Sequence, residues 1–180
     1  MILDSNNSVM LIIDIQEKLL NASFNKEQIL KKSVILAKTA KILNLPLFIT
    51  EQYPRGLGET INEIKAENTD GKYFEKVDFN ALTDENLLNT LKQLNKKQII
   101  LFGIETHICV HQTANALIEN GFDVIIARDA CGSRKEEEYS FALEQMKSYG
   151  VNIKSTEMIL FELIKSAKHP NFKELQALIK

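Results

Sequence analysis

Apolar residues recur along this chain in two rhythms. Short unbroken runs bounded by polar residues mark strands buried on both faces. They occupy residues 8–15 (SVMLIIDI), 46–50 (PLFIT), 99–102 (IILF) and 122–127 (FDVIIA). Residues 72–76 form a weaker strand, and 151–155 is less apolar, as at a sheet edge. Between these runs, apolar positions three and four apart predict helices over 26–43, 59–67, 84–94, 106–120 and 134–149, with closing helices over 157–168 and 171–179, Pro170 starting the second. Asn25 with Gln28 and Ser133 with Glu136 read as capping boxes, and Thr83 as a further cap. Asn44, Gly121 and Gly150 read as left-handed stops, and Gly103 as the end of its strand. Residues 16–25, 51–58 and 128–132 read as turns or loops.

Strands alternating with helices through short connections imply right-handed crossovers. The result is a three-layer, Rossmann-like α/β domain with a parallel sheet and helices on both faces. In such sheets chemistry collects at the carboxyl ends of the strands. The 180 residues suit one domain, residues 1–180, with no linker, repeat or low-complexity tract. A net charge of −2 gives no reason to expect nucleic acid or an anionic membrane as partner. There is no signal-peptide pattern and no run long enough to span a bilayer, and the two cysteines lack framework spacing, so a reducing cytoplasm is expected.

Three chemically distinct residues fall at strand ends: Asp14, Lys76 and Cys109. Cys109 lies in the predicted first turn of a helix, where the dipole and free N–H groups favour thiolate. A nearby carboxylate takes a thiol proton, and an ammonium stabilises both anions. Backbone N–H groups at a helix start suit a developing oxyanion. Together they describe covalent hydrolysis of an amide or similar carbonyl through a thioester-like intermediate. The same residues also fit a capping Asp, a solvated Lys and a small buried Cys, and on spacing alone that second reading leads.

Further motifs bear on the choice. Asp14-Ile15-Gln16, Lys76 ahead of Phe79, and GIETHICV (103–110) resemble, in order and in position, the signature segments of the isochorismatase-like cysteine hydrolases. TEQYPRGLG (50–58), DACGSR (129–134) and HPNFKELQALIK (169–180) resemble the isochorismatase domain-containing proteins within that family, and the likeness runs from about residue 8 to 180. The resemblance implies a six-stranded parallel sheet and an Asp14–Lys76–Cys109 triad. It also implies a non-proline cis peptide at Ile104–Glu105 that aims the Glu105 N–H, with that of Cys109, at an oxyanion. Metal-dependent relatives carry histidines after the second strand. Here that segment is Thr50-Glu51-Gln52-Tyr53-Pro54, so neither a metal nor another cofactor is expected. Small-molecule hydrolysis by a homo-oligomer is the implied function. A family-fold protein that assembles or binds partners with little turnover is the competing one.

Gln16, Leu19, Gln52, Tyr53 and Phe79 are candidates for a substrate pocket, although Gln52 and Tyr53 equally fit a turn around Pro54, and Leu19 ordinary packing. His107 and His111 share a helical face, but Cys109 points about 200° away, so the three do not ligate one ion. Cys131 is a rival thiol in a loop. His169 reads as a docking residue. No Gly-rich phosphate loop follows the first strand (DIQEKLL).

Overall fold

A computed structural model describes residues 1–67 and 71–180. Six strands form one parallel sheet: β1 (Ser8–Ile13), β2 (Leu47–Gln52), β3 (Lys72–Lys76), β4 (Gln98–Ile104), β5 (Asp123–Gly132) and β6 (Asn152–Lys154). Their order is β3-β2-β1-β4-β5-β6. The order reverses between β1 and β4, and the crevice above that switch point is where doubly wound sheets bind ligands. Every residue of β1 and β4 is buried, which is why these two read as unbroken apolar runs. Helices α2 (Lys26–Ile42), α6 (His111–Glu119), α7 (Glu136–Ser148) and α8 (Thr156–Ile164) pack around the sheet, with α1 (Glu17–Ala22), α3 (Pro54–Leu57), α4 (Asn62–Lys65), α5 (Glu85–Gln93) and α9 (Phe172–Ala177) completing the chain.

Several local expectations are corrected. Residues 17–22 form α1 rather than a turn, although only Leu20 of that helix is buried, which leaves little periodicity to detect. The helix expected over 59–67 shrinks to α4. Thr60 instead pairs with Gln16 in an antiparallel bridge and donates through N and Oγ1 to the buried Glu51 carboxylate. Gly103 does not end β4. It continues the strand at φ +135°, and a Cβ there would lie 2.0 Å from the Ile13 carbonyl oxygen. Residues 128–132 are not a loop. After a register shift β5 resumes pairing with β4, Gly103 opposite Cys131 and Ile104 opposite Gly132.

The expected caps also differ. The Asn25 amide donates to the Cys131 carbonyl at 3.1 Å rather than capping α2. Asp84, not Thr83, caps α5 by accepting from the Asn86 N–H. The helix expected from residue 134 starts at Glu136 without a side-chain cap, because Ser133 faces His107 instead. The last helix runs Phe172–Ala177, with Asn171 just before it rather than within it, and Pro170 ahead of both. Asn44 does take the left-handed conformation after α2, at φ +52°.

Candidate active site

Asp14 follows β1 directly and turns sharply, at φ +50°, with its N–H donating to the Thr50 carbonyl on the neighbouring strand. Its side chain has no exposure. Thr50 Oγ1 donates to Asp14 Oδ1 at 2.6 Å, which fixes the carboxylate and leaves Oδ2 facing the other way. Lys76 is the last residue of β3, and its Nζ reaches across β2 to lie 2.7 Å from Asp14 Oδ2. The same ammonium donates to Gln52 Oε1 at 2.6 Å and to the Asp78 carbonyl at 3.3 Å. The ammonium is thus held by one ion pair and two hydrogen bonds.

Cys109 is 6% exposed and within hydrogen-bonding reach of both Asp14 and Lys76. Residues far apart in sequence thus meet at one point because β1, β2 and β3 are adjacent and β4 lies on the other side of β1. The expected helix over 106–120 is broken here. Thr106–Val110 makes a wide turn of π geometry, and α6 begins only at His111. The expectation of a resting thiolate is also overturned. Burial, followed by the charge of Asp14, pushes the thiol up to about 12, and Lys76 opposes this only in part. The resting pair is a thiol beside a carboxylate.

The Ile104–Glu105 peptide is cis. The turn that carries Cys109 is tied to the end of β5. Thr106 Oγ1 donates to the Gly132 carbonyl at 2.9 Å, His107 Nδ1 and Ser133 Oγ are 3.0 Å apart, and Arg134 Nε donates to the Glu105 carboxylate at 2.8 Å. Thr50, Thr106 and Arg134 are not candidates from the sequence, and Ser133 reads there only as a helix cap. Each is a small or charged residue inside a motif segment, but its partner lies on another strand.

The pocket candidates divide. Gln16 is fully buried, and its amide is committed to the Gln52 backbone and the Gly58 carbonyl, so it fastens the 52–58 loop and does not line a pocket. Leu19 packs partly buried against the core. Gln52 holds Lys76, and its Nε2 donates to the Val77 carbonyl at 2.6 Å. Tyr53, in the left-handed conformation, and Phe79 stand out at the rim, 55% and 52% exposed, with Val77 between Lys76 and Phe79 more exposed still. Hollows of about 650 Å³ beside α8 and about 750 Å³ along β6 lie elsewhere, and neither is lined by Asp14, Lys76 or Cys109.

Cys131 is fully buried within β5, not in a loop, and burial pushes its thiol up to about 12; unlike Cys109 it has no exposed surface to offer a substrate, which removes it as a rival nucleophile. His111 packs edge-on against Tyr149, and His169 Nδ1 accepts from the Asn171 N–H. Among the described residues no three His, Cys, Asp or Glu side chains cluster as a metal set.

A family model of the isochorismatase domain matches residues 8–158. The chain belongs to the isochorismatase family. It is 41% identical over 178 residues to isochorismatase family protein 1A of Dictyostelium discoideum, covering 96% of this chain and 86% of that one. Among solved structures it superimposes on the MAR1 ribonuclease of Caenorhabditis elegans with TM-score 0.95, at 34% identity and 99% and 92% coverage. YcaC of Pseudomonas aeruginosa, solved with hexane-2,5-diol and covalent acrylamide, matches with TM-score 0.94 at 26% identity, over 99% and 90% of the two chains. The Escherichia coli YcaC product, described as an octameric hydrolase of unknown specificity, matches with TM-score 0.89 at 27% identity, over 98% and 95%. As a member of the isochorismatase family, the chain carries a hydrolase fold.

Proposed function

We propose that this isochorismatase-family chain is a metal-independent cysteine hydrolase of small amides or related carbonyl compounds, with Asp14, Lys76 and Cys109 as its catalytic triad. The observation that carries this is the meeting of the Cys109 thiol with the Asp14–Lys76 ion pair at the switch point of the sheet. As Cys109 Sγ attacks the carbonyl carbon, the thiol proton passes to the Asp14 carboxylate, and the carbonyl π electrons move onto oxygen. The N–H groups of Glu105 and Cys109 receive that oxyanion. The tetrahedral intermediate collapses, the C–N bond breaks, and Asp14 returns the proton to the departing amine. Water then attacks the thioester, with Asp14 as base, releasing the acid and restoring the thiol. Lys76 keeps the carboxylate in place and balances its charge.

Covalent acrylamide in the YcaC relative supports a reactive nucleophile in this fold. The ribonuclease name of the worm relative supports a different substrate for that protein. Phosphodiester cleavage needs cations free to meet phosphate, and here Lys76 and Arg134 are each already matched by acidic or carbonyl groups. The octameric relative supports a homo-oligomer. Two free cysteines, with no described helix long and apolar enough to cross a membrane, support a cytoplasmic setting. The test is a screen of small amides, ureas and carbamates for ammonia or amine release, with wild type and Cys109→Ala in parallel. Release by wild type that the variant abolishes supports the proposal. Equal release by both overturns the cysteine mechanism, and no release together with a Cys109 no more reactive than an unfolded thiol favours the assembly role instead.

A further inference from the structure

Lys76 sits where a cation is expected to attract an anionic substrate, yet its ammonium is already ion-paired with Asp14 Oδ2 and donates to Gln52 Oε1 and the Asp78 carbonyl. Its side chain is 3% exposed and that of Asp14 is fully covered. The charges acting on the Cys109 thiol are those of this one pair. Arg134, at the same rim, is paired with Glu105. Gln52 is the adjustable member of this set. Its Nε2 donates to the Val77 carbonyl, so its oxygen, not its nitrogen, faces the ammonium. Its backbone N and O are held separately by Gln16, so the strand end does not depend on the Gln52 side chain.

We infer that the site selects neutral electrophiles over anionic ones, and that Gln52 is the positioning residue that enforces this by accepting the Lys76 proton an anion would otherwise take. This rests on the cysteine-nucleophile reading proposed above. An anion entering the site would face the Asp14 charge beside an ammonium already engaged by Gln52 and the Asp78 carbonyl, whereas a neutral amide needs only the backbone donors. The exposed Tyr53, Val77 and Phe79 at the rim suit an uncharged, partly apolar molecule.

The experiment compares Cys109 alkylation by neutral iodoacetamide and anionic iodoacetate, read peptide by peptide by mass spectrometry. In each case the S–C bond forms, the C–I bond breaks, iodide leaves with the bonding pair, and the thiol proton passes to Asp14. The ratio of the two rates is referred to the same chain unfolded in urea. Wild type should favour iodoacetamide by at least about tenfold beyond the unfolded ratio. Gln52→Leu should bring the ratio to within about threefold of the unfolded one, and Gln52→Glu should carry it beyond wild type. A residue that merely shapes the loop would slow both reagents alike and leave the ratio unmoved, which overturns the role of Gln52. A wild-type ratio equal to the unfolded one overturns charge selection while leaving the nucleophile intact. Failure of Cys109 to react with either reagent overturns both.

Discussion

At the scale of single residues, the candidate site is a buried thiol, raised in its ionisation, beside the Asp14–Lys76 ion pair. Asp14 contributes twice to holding the thiol up, through its charge and through a hydrogen bond, and Lys76 pulls the other way. Asp14→Asn should therefore have two opposed effects. Amide hydrolysis should fall by roughly 10²-fold or more, because the proton acceptor is gone. The Cys109 ionisation should move down from about 12, because burial still raises it but the Asp14 charge no longer does, while Lys76 still lowers it. The pH dependence of alkylation measures the second effect, and an unchanged or higher ionisation would contradict the assignment. The two thiols also set an alkaline limit on stability. Both are raised in the folded state to about 12 from an ordinary 9.0. Above the ordinary value the unfolded chain has released protons that the folded chain still holds. Stability is thus fully present below about pH 9 and declines as pH rises toward 12, by at most about 1.4 kcal/mol per pH unit for each thiol. Urea midpoints from pH 8 to 11 check this at roughly fixed ionic strength, and Cys131→Ala should flatten the decline.

At the scale of elements, the close approach of β1 and β4 is the feature on which the site depends. It places Asp14 and the Cys109 turn side by side, and it needs a residue without a side chain at Gly103. Gly103→Ala would drive a Cβ to 2.0 Å from the Ile13 carbonyl oxygen at φ +135°. It should cost about 3 kcal/mol or more in urea unfolding, or prevent folding outright. Gly121→Ala, also at positive φ but with nothing within 4 Å, should cost only about 1 kcal/mol. Equal losses for the two would show that backbone conformation, not the β1–β4 contact, sets the penalty. The same elements mark what the sequence conveyed. β1, β2 and β4 were legible because full burial leaves nearly unbroken apolar runs. The end of β5 was not legible. Residues 128–132 contain Arg128, Asp129 and Gly132, which read as a loop, and only pairing to β4 after a register shift keeps them extended. α1 and the π-type turn at 106–110 were missed for a related reason, since tertiary contacts, rather than a periodic apolar face, fix their geometry.

At the scale of the whole molecule, the chain's 20.5 kDa unit has its reactive groups under a rim of exposed Tyr53, Val77 and Phe79. Sedimentation equilibrium should give a mass that is a multiple of 20.5 kDa, as the octameric relative suggests. A monomer at micromolar concentration would confine any assembly role to other members of the family.

The sequence by itself determined the alternation of strands and helices, the parallel sheet, and the placing of Asp14, Lys76 and Cys109 at strand ends, because burial and strand position leave marks in local pattern. Only the tertiary structure decided their protonation and their partners. Whether a thiol near a carboxylate is ionised depends on burial and on distances across three strands, and no local pattern encodes those. The hydroxyl of Thr50 on Asp14, the amide of Gln52 on Lys76 and the removal of Gln16 from the pocket are all contacts between segments dozens of residues apart. They follow from strand order and register, which exist only once the sheet has formed.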